Sequence, residues 1–388
     1  MIYWILHKKL SNADWNNWLE GNPRYFYENL VHFSFLDISS FSWFGKIENF
    51  ILGKDFHSDS PCLNLSKSFI TIKSPKDFMK LKIKNEDLFV FQSYNNPRIF
   101  EFNKLLKSLD CKTLLFYYWQ LPFIEKNHPV KNKTWFVNKI IKLDKKILLI
   151  RLIYWIYIKT SSRKSFYNYI FSCGKKNITN LPAFISYKTI LPCHSLPYDE
   201  LIRNKKESNS LTKTDKYFVF IDQALTIHPD NKGLSVFTKI YREEILAALK
   251  YLSEKNNNIK IIIAQHPRVQ YELGFWKNYE CYSGKTIELI MNANGVIGHF
   301  STALVTAFLA KKQIYLLKSS SNYFSFNESI EKLYKVIGGK VYDIRNLELL
   351  SEKESSMINV DDYFTLLPKS QKNNDQIFMN FFEKFDLS

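Results

Sequence analysis

From Tyr217 onward, short and largely apolar runs alternate with longer stretches of helical spacing, and that alternation leaves few folds open. The runs are Tyr217–Ile221 (YFVFI), Lys260–Ala264 (KIIIA), Gly295–Gly298 (GVIG) and Gln313–Leu317 (QIYLL), with a shorter one at Tyr279–Tyr282. Between them stand Gly233–Glu254, whose Val236, Ile240, Ile245, Ala248 and Leu249 recur near helical spacing, then TIELIMNAN from Thr286 and ALVTAFLA from Ala303. Ser301 or Thr302 can cap the last of these. Runs that are apolar in succession, and not alternately, fit strands buried on both faces, as in a parallel sheet covered by helices on either side. The second half therefore predicts βαβ units and a mostly parallel, Rossmann-like sheet.

The first half is less regular. Ile2–Leu6, Leu88–Gln92, Thr113–Tyr117 and Tyr169–Ser172 read as strands among polar or amphipathic stretches, consistent with a second α/β domain. A chain of 388 residues fits two domains. The expected division is a first domain over 1–205, a polar linker over 206–215 (KESNSLTKTD), a second domain over 216–346 and a helical segment over 347–388 that packs back, with Asp375–Phe385 as its closing helix.

Composition narrows the class further. Apolar residues make up 46% of the chain, including 32 Phe, 23 Tyr and 8 Trp, which supplies large cores and excludes a disordered chain. Lys and Arg number 54 against 37 Asp and Glu, a formal net charge of +17 that favours an anionic partner. The five cysteines are scattered without CxxC spacing, so neither a disulfide framework nor a zinc knuckle is indicated and a cytoplasmic setting is expected. The opening MIYWILHKKL reads as a first strand and not as a signal peptide, and no apolar run is long enough to span a bilayer. Ile147–Ile158 (ILLIRLIYWIYI), with basic flanks extending over 139–164, admits two readings. It is either an interfacial helix contacting the inner face of the cytoplasmic membrane or a buried element with solvated ends.

In parallel α/β sheets, ligands bind outside the carboxyl ends of the strands, where loops and helix N-termini converge. The residues just past these ends are Asp222-Gln223 and then His228, Gln265-His266-Pro267-Arg268, Gly284-Lys285-Thr286, and His299-Phe300-Ser301-Thr302. Each has an ordinary structural reading, as a cap or a core hydrogen-bonder. Gathered on neighbouring exits, they are the types that bind anions and handle protons. Gly284-Lys285-Thr286 lacks the first glycine of a P-loop, since Tyr279 stands there. The chain has no GxGxxG, GxSxG or HExxH motif and no Asp-x-Asp pair for a divalent metal. No metal and no cofactor beyond an activated donor substrate is expected.

The stretches FIDQALTIHPD (Phe220–Asp230), IIIAQHPRVQYE (Ile261–Glu272) and GVIGHFSTALVTAFLAKK (Gly295–Lys312) resemble the short motifs of bacterial sialyltransferases. That family belongs to the GT-B-like glycosyltransferases of surface-polysaccharide synthesis, covering capsule, lipooligosaccharide and O-antigen. The resemblance implies an α/β, GT-B-like fold of two Rossmann-like domains facing across a cleft, with a C-terminal closing helix. It also implies transfer of a sialic, pseudaminic or legionaminic type of nonulosonic acid from a CMP-activated donor to an oligosaccharide or lipid-linked glycan. By the same resemblance Asp222 and His266 are the catalytic candidates, while Ser301 and Thr302 hold the phosphate. Gln223, His228, Pro267, Arg268, Gly284, Lys285, Thr286 and His299 complete the expected donor-binding set. The motif departs at Asp222, where relatives carry two acidic residues before a glycine and this chain reads Ile-Asp-Gln. A GT-B enzyme using CMP-Kdo or a UDP- or GDP-sugar shares these features. A non-enzymatic scaffold or nucleic-acid-binding protein has charge alone in its favour, and no nucleic-acid signature supports a nucleic-acid partner.

Overall fold

The apolar runs become strands of two parallel sheets in the computed structural model. The structure describes residues 1–6, 29–30, 32–39, 41, 69–92, 97–118, 164–207, 216–228, 234–267, 269–272, 274–277, 279–321, 326–353, 360–368 and 370–386. Residues 139–163 of the basic-flanked apolar segment, residues 208–215 of the expected linker, and Arg268 lie outside them.

The first unit contains β1 (Ile2–Leu6), β2 (Phe33–Asp37), β3 (Phe69–Thr71), α1 (Pro75–Met79), β4 (Leu88–Phe91), α2 (Pro97–Ser108), β5 (Lys112–Tyr117), β6 (Ser165–Ser172), α3 (Lys175–Thr179) and β7 (Ile185–Pro192). Its seven strands are parallel in the order β3-β2-β1-β4-β5-β6-β7. The second unit contains α4 (Leu196–Glu207), β8 (Tyr217–Ile221), α5 (Thr238–Lys255), β9 (Lys260–Gln265), β10 (Glu280–Ser283), α6 (Thr286–Asn292), β11 (Gly295–Gly298), α7 (Thr302–Leu309), β12 (Gln313–Lys318), α8 (Asn327–Ile337), β13 (Gly339–Asp343), β14 (Glu348–Lys353) and α9 (Val360–Tyr363). Its strand order is β10-β9-β8-β11-β12-β13-β14, all parallel except β14, which pairs antiparallel with β13. In both sheets the first strand lies inside, the next two extend to one side and the rest to the other. These are the two Rossmann-like domains the strand–helix alternation predicts.

The division falls earlier than residue 205. The first unit ends at Ser195 and resumes at Thr365, while Leu196–Phe364 forms the second. Helix α4 belongs with the second unit because Tyr198 packs on that core and the Thr306 hydroxyl of α7 donates to Glu200 Oε2 at 3.1 Å. It continues to Glu207, into the stretch read as linker. The segment after 346 is not wholly helical either: β14 extends the second sheet before the chain turns back.

The returning segment ends in α10 (Asn374–Asp386), which covers one face of the first sheet. Phe378 and Phe382 are fully buried, with the Phe378 ring 4.5 Å from Phe171 and 4.9 Å from Phe116 between centroids. Burying each such ring contributes about 2–3 kcal/mol. Where the chain leaves and re-enters this unit, His194 is fully buried. Its Nε2–H donates to the Lys372 carbonyl at 3.0 Å, and its Nδ1 accepts from the Thr365 hydroxyl at 2.6 Å. Asn374 brackets the His194 backbone, accepting from its N–H and donating to its carbonyl, both at 2.9 Å. Cys111, Cys173 and Cys193 are buried. Among the described residues no helix is long and apolar enough to cross a membrane.

Candidate functional site

The second sheet reverses its winding between β8 and β11, and the residues singled out by their position in the sequence follow the strands around that reversal. Ile221 is in register with Ala264 of β9, and Phe220 with Ile297 of β11. The exits of β9, β8 and β11 are therefore consecutive along one sheet edge, about 5 Å apart. Such a reversal is where open α/β sheets leave a crevice for ligands.

Asp222, the first residue past β8, is 3% exposed. Its Oδ1 accepts from the Ala224 N–H at 2.7 Å, and its Oδ2 accepts from the Tyr271 hydroxyl at 2.5 Å. Burial pushes its carboxyl up to about 6, against the opposing pull of these two donors. The turn it anchors holds Ala224 at φ +50°, a left-handed conformation that disfavours a non-glycine residue by about 1–2 kcal/mol. The same turn delivers His228, whose N–H donates to the Ala224 carbonyl at 2.7 Å.

His266 leaves β9 and meets His228. Their rings stand edge to face with centroids 4.8 Å apart, both half-buried. The His266 N–H donates to the Tyr271 hydroxyl at 3.0 Å, so Tyr271 ties the β9 exit to Asp222 at the β8 exit. The Tyr271 ring rests on Phe275 and Trp276, at centroid distances of 5.5 and 6.5 Å. Pro267 is exposed beside His266.

Across the reversal, Gln223 joins β8 to β11: its Oε1 accepts from the Phe300 N–H at 2.7 Å. Ser301 then caps α7, its hydroxyl accepting from the Ala303 N–H at 3.2 Å, and Thr302 is exposed at the first helical position. The helix dipole places partial positive charge at this end. His299 takes no part in that edge. It is fully buried, and its Nδ1–H donates to the Leu317 carbonyl at 2.7 Å. Since a carbonyl can only accept, Nε2 is left to accept from the Tyr241 hydroxyl at 2.8 Å. Burial pushes its pKa down to about 4, so it is a neutral core residue and not the donor contact its position in the sequence predicts.

Gly284, Lys285 and Thr286 follow β10, two strands out from β8, or about 10 Å along the edge. Gly284 has φ +75°, and the Lys285 ammonium lies over the Tyr282 ring at 5.6 Å. This loop flanks the histidine pair, one strand beyond the β9 exit that carries His266.

Two residues here are not among the expected site residues. Tyr271 is one, inside the His-Pro stretch but unremarkable in the sequence as an aromatic in a polar loop. Glu200 is the other: bonded to Thr306 one turn into α7, it has its carboxyl pushed up to about 7 by burial.

No protein-family profile matches the chain, and no curated protein matches its sequence. Among solved structures, UDP-GlcNAc 2-epimerase from Methanocaldococcus jannaschii is similar at 12% identity and a TM-score of 0.42, covering 99% of this chain and 100% of that one. S. aureus MnaA with UDP is similar at 9% identity and 0.42, covering 100% and 97%. Os79 from O. sativa in complex with UDP is similar at 6% identity and 0.41, covering 100% and 93%.

Chemically, the edge offers two adjacent imidazoles, a capped helix start and the exposed Thr302 hydroxyl across three consecutive exits. Such a set binds an anion and stabilises negative charge that grows during a reaction. Asp222 is less suited to take a proton from an incoming hydroxyl, because both its oxygens are engaged and little of it is open to solvent.

Proposed function

We propose that the chain is a glycosyltransferase that takes a sugar from a nucleotide-activated donor whose phosphate lies over the exits of β8, β9 and β11. The donor class is a CMP-activated nonulosonic acid, and the acceptor is a surface glycan carried on an oligosaccharide or a lipid. The observation that carries this reading is the meeting of His228 and His266 at 4.8 Å, on the exits of β8 and β9, the first of which is next to the exit that starts the Ser301-capped helix.

The residues act in order of approach. The N-terminus of α7, with the Ser301 and Thr302 hydroxyls, holds the phosphate through N–H groups and dipole. As the glycosidic bond to that phosphate breaks, negative charge grows on the leaving group and positive charge on the sugar ring. An imidazole donating from His266 stabilises the departing phosphate or protonates it. His228, packed against that ring, restricts its orientation. Lys285 adds long-range attraction for the anionic donor from the flank. The +17 charge of the whole chain draws it toward the anionic inner surface of the cytoplasmic membrane, where a lipid-linked acceptor resides.

The test is a comparison of CMP, UDP and GDP as thermal stabilisers of the full chain, followed by CMP-sugar hydrolysis. CMP alone should raise the melting temperature. His266→Ala should abolish both this response and hydrolysis while leaving the unliganded melting temperature within a few degrees. A response to UDP or GDP in place of CMP would reassign the donor. Full hydrolysis by the His266→Ala protein would remove the histidine from the reaction.

A further inference from the structure

We propose that Asp222 and Tyr271 form a positioning clamp that sets the two histidines against each other, with Asp222 acting through its neighbours and not on substrate. The inference rests on the donor site proposed above and assigns the parts within it.

Both hydrogen bonds accepted by the Asp222 carboxylate lead to a histidine-bearing segment. Oδ1 holds the Ala224 N–H at 2.7 Å, and the Ala224 carbonyl holds the His228 N–H at 2.7 Å. Oδ2 holds the Tyr271 hydroxyl at 2.5 Å, and the oxygen of that hydroxyl accepts the His266 N–H at 3.0 Å. Two relays thus start at one carboxylate and end at the backbones of the two residues whose rings meet at 4.8 Å. The strained Ala224, at φ +50°, is what Oδ1 retains. Tyr271 is itself braced by Phe275 and Trp276, which are 8% and 3% exposed, so its hydroxyl has little freedom to follow a shifted partner. A carboxylate with 3% exposure and both oxygens engaged has the geometry of an anchor.

The test uses the full chain with 15N-labelled histidine, whose eight imidazoles are read in proton–nitrogen spectra. His228→Gln and His266→Gln variants assign the pair. The wild type should show a through-space contact between the His228 and His266 rings. Tyr271→Phe, which keeps the ring and removes only the hydroxyl, should lose that contact and weaken CMP binding about tenfold, the effect of one hydrogen bond's worth of positioning. The His299 signals, held separately by Tyr241 and Leu317, should stay in place and report an intact fold. Should Tyr271→Phe fail to fold, Asp222→Asn serves instead, since it retains one acceptor and releases one relay, and the same loss is expected.

An undisturbed His228–His266 contact in a folded Tyr271→Phe or Asp222→Asn protein overturns the clamp. The donor reading is judged separately by adding CMP to the wild type. If neither histidine responds, the donor assignment fails while the ring contact still decides the clamp.

Discussion

At the scale of single residues, the same side-chain type does opposite work depending on what surrounds it. His266 and His228 meet at a sheet edge, whereas His299 and His194 are sealed in the core with both ring nitrogens bonded, and burial pushes each of the latter down to about 4. An unfolded histidine takes up its proton near 6.5, so the folded chain binds fewer protons than the unfolded one between pH 6.5 and 4. The stability linked to neutral His299 is thus fully present above pH 6.5 and is lost as pH falls toward 4, on the order of 3 kcal/mol. Asp222 runs the other way: its raised value means that acidification from 6 toward 3.8 favours the folded chain. We expect urea midpoints of His299→Gln to vary less between pH 6.5 and 4 than those of the wild type. An unchanged pH slope would mean that His299 is not buried neutral. The sequence places His228, His266 and His299 alike near strand exits, because burial and partners are settled by residues far along the chain. Tyr241, which bonds His299, is 58 positions away.

Among elements, legibility follows how purely apolar a strand's run is. β8 (YFVFI) and β11 (GVIG) are apolar throughout and are found where their patterns place them. β2 (FSFLD), β7 (ISYKTILP) and β13 (GKVYD) mix polar residues into the run and escape notice, since β7 is exposed over much of its length and β13 lies next to the edge strand. The closing helix α10 is the reverse case, an aromatic-rich segment whose pattern predicts a helix but not its seat. Its seat is the first sheet, 250 residues or more back along the chain for Phe116 and Trp4. Phe378→Ala should destabilise the protein by about 3–5 kcal/mol, read as an earlier denaturant transition, because the ring fills a cavity among Phe116, Tyr118 and Phe171. A loss below 1 kcal/mol would mean that the helix is not seated there.

For the molecule as a whole, two sheets wound in the same order share one plan, and only the second displays it plainly in sequence. In the first, the described strands are separated by long stretches with little periodicity. The candidate site is unevenly legible for a related reason: the runs locate the strand exits, so the positions of Asp222, His266 and Ser301 can be read from them. The tie made by Tyr271 cannot, because it exists only once β8 and β9 lie side by side. At this scale the excess of basic residues also predicts that the chain binds vesicles containing about one-third anionic lipid and dissociates as salt approaches 0.5 M, where the Debye length is only about 4 Å. Equal binding to neutral vesicles would separate membrane contact from charge. The central claim is that the edge of the second sheet formed by the β8, β9 and β11 exits holds an activated sugar. A crystal structure of the chain with CMP tests it most directly. The phosphate should lie within hydrogen-bonding distance of His266 and the Ser301-Thr302 helix start; CMP seated elsewhere, with that edge left to solvent, would overturn the assignment.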